Sequence, residues 1–220
     1  MLGSYGARRG FKGRGSRVRA FVSLKAGDLF AFGRGAPPID RDDPLSRLSI
    51  EALDAALKGA GGALRFVRPE SRHLTLRFLG EVDAAASRTV SEALERAVRP
   101  FRPFPVGALG VGFFPNALRA KVIWVGLDDP KKQLQPLHAA VEKALAPLGL
   151  TGQGESFVPH VTVARVSEAP ALHALAQAVD PLVHTRFGWS EAAGVEFIES
   201  QLKKGGPVYR TISSHAFGGT

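Results

Sequence analysis

The chain has 220 residues, 45% of them hydrophobic and 22% charged, with no cysteine and a net charge of +9. This length and composition suit one domain, or two small lobes, with a substantial core. They exclude a disulfide framework, thiolate chemistry and a cysteine-based zinc site.

No apolar run reaches the length of a transmembrane helix, and the basic N-terminus leads into Gly and Arg rather than an apolar signal segment. A cytoplasmic protein is therefore expected. Arg8, Arg9, Lys12, Arg14, Arg17 and Arg19 supply six positive charges within the first 19 residues, where there is no acid. Residues 1–16 are rich in Gly and Arg, lack periodicity and are expected to form a flexible basic tail. Residues 17–220 are expected to form a single two-lobed domain. The tail suits a polyanionic partner and reads equally as a solubilising extension.

From Arg17 to Leu24 the pattern is that of a strand, with Val22 and Leu24 sharing a face. Ala31 to Pro44 is a loop rich in Gly, Pro and Asp, long enough for a flap. A helix is predicted over Ser46–Lys58 and stopped by Gly59, Gly61 and Gly62. Strands follow at Leu64–Val67 and His73–Leu79. Asp83 is placed to cap a helix running to Val98. Phe104–Phe114 and Lys121–Leu127 read as strands around a Pro115-Asn116 turn. A helix over Pro136–Leu145 ends at Pro147 and Gly149. Phe157–Val166 is a further strand, and a short helix follows Pro170. Two last strands, Gly194–Ile198 and Val208–Ile212, flank Gly205-Gly206-Pro207. The order strand, helix, strand, strand, helix, strand occurs in each half, which predicts a duplicated α+β fold. Two similar lobes of antiparallel sheet, with helices packed outside, would then meet at a central cleft about a pseudo-twofold axis.

Two of these strands share a motif, His73-Leu74-Thr75-Leu76 and His160-Val161-Thr162-Val163. Alternation puts His73 and Thr75 on one face and the aliphatic pair on the other, and likewise His160 and Thr162. Two such faces supply a general acid, a general base and two hydroxyls, a set able to run phosphodiester chemistry without a metal. A lone histidine of this kind is usually a satisfied core or surface group; two in matching contexts are catalytic candidates.

The flanking blocks carry a resemblance. His73-Leu74-Thr75-Leu76-Arg77-Phe78-Leu79-Gly80-Glu81-Val82, Lys121-Val122-Ile123-Trp124-Val125-Gly126 and Phe157-Val158-Pro159-His160-Val161-Thr162-Val163-Ala164-Arg165 stand in that order. Arg19-Ala20-Phe21-Val22 precedes them, and Ser200-Gln201-Leu202 with Gly206-Pro207-Val208-Tyr209 follows. Together they resemble the RNA 2′,3′-cyclic phosphodiesterases, or 2′-5′ RNA ligase-like proteins, of the two-histidine phosphoesterase superfamily. The resemblance implies hydrolysis of RNA 2′,3′-cyclic phosphate ends to 2′-phosphates, with reversible 2′-5′ ligation as a side activity. It implies His73 as proton donor, His160 as the base that activates water, and Arg165 as a phosphate or nucleotide contact. The residues alone leave open which histidine is acid and which is base.

Strict alternation puts Arg165 opposite His160, so its contact needs a twist or bulge. Phe21 reads equally as a base-stacking surface and as a core residue. Arg77 shares the face of His73 and Thr75 and is read as a solvated strand-end arginine. Trp124 and Phe157 are read as core; His138, His173, His184 and His215 as structural or solvated. No metal-binding spacing and no phosphate-binding loop is present, so no metal and no cofactor is expected. The expected partners are RNA ends, such as tRNA fragments, with no membrane and no obligatory protein partner for a monomer. The rival readings are a phosphodiesterase for a small cyclic nucleotide or ADP-ribose cyclic phosphate, and an RNA-end-binding module without turnover.

Overall fold

A computed structural model describes residues 17–26, 50–150, 156–168, 172–204 and 206–219. The basic tail, the Ala31–Pro44 loop and the start of the first helix lie outside these residues. Eight strands and four helices are described: β1 Arg17–Ala26, α1 Ile50–Gly59, β2 Ala63–Phe66, β3 Thr75–Asp83, α2 Ser87–Val98 and β4 Phe104–Phe114. After them come β5 Val122–Asp128, α3 Leu134–Leu145, β6 His160–Glu168, α4 Leu172–Val179, β7 Arg186–Lys203 and β8 Gly206–Ala216.

All strand pairs are antiparallel, in the order β2-β6-β5-β4-β7-β1-β3, and β8 pairs with β7. The central run is symmetric. Reading outward from the β4–β7 pair gives β4-β5-β6 on one side and β7-β1-β3 on the other. The succession β1-α1-β3-α2-β4 thus corresponds to β5-α3-β6-α4-β7, a duplication of five described elements rather than the six expected in each half. β2 has no described counterpart in the second half. No described helix is long and apolar enough to cross a membrane.

The helices pair across the halves, α2 with α3 and α1 with α4. Apolar residues at helical spacing explain the faces they bury. Val90, Ala93, Leu94 and Val98 of α2 and Leu134, Leu137, Val141 and Leu145 of α3 cover β1 and β3. Leu53 and Leu57 of α1, with Leu175 and Val179 of α4, cover β4, β5 and β6.

Several boundaries differ from expectation for local reasons. The Asp83 carboxylate accepts from Ala85 N at 2.9 Å, so it caps a short 3-10 turn over Ala84–Ala86 ahead of α2. α3 begins two residues earlier than predicted, because Asp129 Oδ2 accepts from Leu134 N at 2.6 Å. Strand β7 has 18 residues, far more than the predicted Gly194–Ile198, because β1, β4 and β8 all pair along it.

One further contact closes the arrangement. Leu74, just before β3, forms an antiparallel bridge with Val161 of β6. The other edge of Leu74 is gripped by β1, where Leu24 N donates to its carbonyl at 3.0 Å. Leu74 and Val161 are 0% and 1% exposed in the α2–α3 core. Leu74→Ala is expected to cost about 2–5 kcal/mol through lost burial and the residual cavity. Denaturant unfolding at unchanged m-value checks this.

Candidate active site

The Leu74–Val161 bridge determines what lies on its other face. In an antiparallel register around that pair, His73 stands across from Thr162, and Thr75 across from His160. The aliphatic pair points into the core, so the four polar side chains point the opposite way. All four line one cleft of about 710 Å³. The motifs therefore lie side by side on one floor, each histidine beside the other motif's threonine.

Each imidazole is held in the same manner. His73 Nδ1 lies 2.8 Å from the Ser71 carbonyl, and His160 Nδ1 lies 2.7 Å from the Val158 carbonyl. A carbonyl only accepts, so Nδ1 carries the proton and donates it in both rings. In the neutral ring Nε2 is then the atom with the available lone pair. Aromatic groups fix the ring planes. Phe21 stacks on His73 with centroids 4.6 Å apart, and Tyr209 meets the same ring edge-on at 5.1 Å. Phe114 meets His160 edge-on at 4.9 Å, and Trp124 is tilted against it at 5.8 Å. Gly112 leaves room for the Trp124 ring, since a Cβ there would overlap it.

Burial holds the pKa of His73 below the ordinary imidazole value; the Ser71 carbonyl opposes this, and the positive charges of Arg165 and His160 add to it. His160 is lowered by burial, with the Val158 carbonyl opposing. Tyr209 is raised by burial against the pull of Arg165 and Arg19, so it remains a neutral phenol.

Arg165 reaches this face through a bulge. Trp124 pairs with Thr162 and Ile123 with Ala164, which leaves Val163 as an extra residue. Val163 and Ala164 are both fully buried, and Arg165 emerges exposed on the cleft side. The first motif has the same bulge at the same position. Ser23 pairs with Thr75 and Val22 with Arg77, leaving Leu76 extra.

That bulge overturns the reading of Arg77 as solvated. It turns the side chain toward α3, where Nε lies 3.0 Å from Glu142 Oε1 and only 19% of the side chain is exposed. The residue brought into Arg165's equivalent place is Phe78, which lines the cleft at 63% exposure. Strict alternation hid Phe78. Counting five residues on from each histidine finds both.

Phe21 is 3% exposed, with His73 on one face, so it backs that ring and offers no open face to a base. Phe157 and Trp124 are half-buried rather than core. Phe157 lines the cleft and stacks on His138 at 4.2 Å, which brings a third histidine to its flank. The lining includes Arg19, Arg77 and Arg165 and no carboxylate among the described residues. No cluster of three or more histidine, aspartate or glutamate side chains fit for a metal occurs among them.

In fold, this eight-stranded antiparallel sheet with its helices matches the LigT-type phosphoesterases. Escherichia coli LigT complexed with 3′-AMP matches with a TM-score of 0.67 at 21% identity, covering 92% of this chain and 99% of that one. The protein TT0787 of Thermus thermophilus matches with a TM-score of 0.60 at 25% identity, covering 91% and 98%. The chain belongs to the 2′-5′ RNA ligase superfamily, whose family model matches residues 42–193. The RNA 2′,3′-cyclic phosphodiesterase of Aeropyrum pernix is 32% identical over 163 residues, which is 74% of this chain and 92% of that relative. The protein of that name from Thermotoga maritima is 31% identical over 184 residues, 82% of this chain and 94% of its own.

Since burial is the main cause of the low His73 pKa, Phe21→Leu is expected to admit water behind the ring and raise that pKa. His160, in a different aromatic setting, is expected to keep its own value. Titration of the two imidazoles by NMR reads both.

Proposed function

We propose that this chain hydrolyses RNA 2′,3′-cyclic phosphate ends to 2′-phosphates, using His73 and His160 as acid and base without a metal. The observation that carries the reading is the pair of imidazoles, each with Nδ1 committed to a carbonyl, set on one floor with two threonines. Membership of the 2′-5′ RNA ligase superfamily supports it, as do relatives named RNA 2′,3′-cyclic phosphodiesterase.

A cyclic phosphate is a strained diester whose phosphorus accepts an in-line attack opposite the departing ribose 3′ oxygen. His160 Nε2 takes a proton from water as its oxygen bonds to phosphorus. His73, protonated at Nε2, gives its proton to the 3′ oxygen as the P–O bond breaks. Water thus supplies the hydroxyl that stays on phosphorus, and the 2′ ester survives. Thr75 and Thr162 donate to the non-bridging oxygens, and Arg165 neutralises their growing charge. The described lining bears Arg19 and Arg165 and no carboxylate, which suits that anion.

The unequal residues after the two bulges orient the nucleoside. Phe78 and Tyr209, on the His73 side, give the base a surface to stack on, while Arg165 holds phosphate. His73 is then the imidazole beside the ribose and the natural proton donor to it. A 5′-hydroxyl in place of water gives 2′-5′ ligation by the same steps. No protein partner is required by this scheme, and the chain is proposed to act as a monomer.

Histidine replacements provide the direct test. His73→Ala or His160→Ala is expected to lower turnover of an oligonucleotide ending in a cyclic phosphate by about 10²–10⁴-fold each. Circular dichroism should stay unchanged, and wild-type turnover in both variants would refute the assignment. Because both imidazoles titrate below the usual 6.5, the bell-shaped kcat/KM profile is expected to centre on the acid side of that value. Activity is expected to survive EDTA; loss in EDTA restored by a divalent ion defeats the metal-free scheme.

A further inference from the structure

We propose that a buried ion pair outside the cleft, Asp54–Arg72, is the device that positions His73. Neither residue takes part in the steps above, and the inference rests on reading His73 as a reacting group.

Arg72 directly precedes His73, and its side chain is 1% exposed. Its Nη2 lies 2.5 Å from Asp54 Oδ2 on α1, whose side chain is 17% exposed. Its Nε donates to the Val67 carbonyl at 3.1 Å. Between Val67 and Arg72 the chain makes one tight turn, in which Ser71 N donates to the Arg68 carbonyl at 2.8 Å and Arg72 N to the Pro69 carbonyl at 3.1 Å. This turn carries the Ser71 carbonyl that holds His73 Nδ1 at 2.8 Å. A single guanidinium thus clamps both ends of the turn and fastens it to a helix. The near side is tied to the second motif as well, since Val67 N donates to the Val163 carbonyl at 2.8 Å.

A buried guanidinium is a poor choice for stability alone, because desolvating it offsets most of what the pair returns. Its planar fork does fix direction, with separate N–H groups aimed at a carboxylate and a carbonyl. Direction is what His73 requires, because its tautomer and the aim of Nε2 follow from where the Ser71 oxygen stands.

The other half makes the same provision with neutral groups. Gln135 Nε2 of α3 donates to the Phe157 carbonyl at 3.0 Å, and His138 of α3 stacks on the Phe157 ring. These hold the segment that offers the Val158 carbonyl to His160. Equivalent helices, α1 and α3, therefore pin the segments that feed the two histidines. The group that donates to the chain is a guanidinium on the His73 side and an amide on the His160 side.

Among the described residues, the charged and titratable groups around this device are these. Arg165, His160 and Tyr209 face His73. Arg68 and Glu70 pair at 3.3 Å on the turn, with 60% and 66% of their side chains exposed, and so add little.

The test removes the pair without leaving a buried charge, in a double variant with Asp54→Leu and Arg72→Met, beside the conservative Asp54→Glu. Apolar replacement of a buried pair is generally tolerated, so the double variant is expected to unfold cooperatively near the wild-type midpoint. Its kcat on a dinucleotide 2′,3′-cyclic phosphate is expected to fall on the order of tenfold to a hundredfold, with KM close to wild type. In the ligand-free protein, the imidazole nitrogen shifts of His73 should lose their pure Nδ1–H signature while those of His160 keep it. Asp54→Glu should retain the signature and most of the kcat. Unchanged His73 shifts in the folded double variant overturn the proposal, as does equal disturbance of both histidines. The nitrogen shifts need no turnover, so a failure of the hydrolysis reading would appear separately, as an inactive wild-type protein with His73 still responding.

Discussion

The backbone bridge between Leu74 and Val161 is the contact on which the rest of the molecule depends. It joins segments from opposite ends of the β6-β5-β4-β7-β1-β3 run, continuing along β6 the edge that β2 covers from Ala164 onward. One antiparallel pair then does two things at once. Its side chains enter the α2–α3 core, and its neighbours on either side come up as His73 and Thr75 beside Thr162 and His160. A slip of one residue would exchange these sets, putting imidazoles into the apolar layer and aliphatic chains into the cleft. Burial of Leu74 and Val161 therefore enforces the register of the site. Stability and site geometry rest on the same two residues.

A bulge in each motif strand supplies the next constraint. An unbroken strand from His160 would point Arg165 into the helix layer beside α1 and α4. With Val163 inserted, both Val163 and Ala164 go inward, and the guanidinium is released to the cleft. The same insertion at Leu76 sends Arg77 to Glu142 and Phe78 to the cleft. One backbone device thus presents a cation from one half and an aromatic ring from the other. The fold is symmetric in backbone while the cleft is polar in chemistry, and an asymmetric substrate needs that polarity.

Much of this was legible in the sequence because it rests on short-range pattern. The two His-x-Thr-x segments, their alternation and the helix–strand order required no tertiary knowledge. The bulges escaped, because period-two reading assumes an unbroken strand; Arg165 signalled one only through the conflict between its face and its implied contact. Strand β7 was underestimated because Gly188, Glu191, Ala192 and Ala193 are weak strand formers, and three neighbouring strands override that preference. Arg72 resembled any surface arginine, since its partner Asp54 lies on a helix 18 positions earlier in the chain. Phe21 was ambiguous for a related reason: a strand phenylalanine stacked behind a histidine has the same sequence signature as one stacked on a base.

Burying two imidazoles so that both are depressed carries a chemical consequence. A neutral ring is ready to accept a proton, yet the proposed reaction needs one of the pair charged. The burial that depresses both also lowers the dielectric, so an arriving phosphate anion acts strongly on the nearest ring. On the proposed reading, burial favours the neutral form of both rings, and the substrate's own charge would raise the affinity of one of them for the proton it delivers. The carbonyls at Ser71 and Val158 make this workable, since each accepts from Nδ1 whether its ring is neutral or cationic. Protonation at Nε2 would then need no turn of the ring, and the acid of the proposed reaction would form already aimed. In the proposed scheme the phosphate itself favours the charged form of the acid, at the place where the proton is to be delivered.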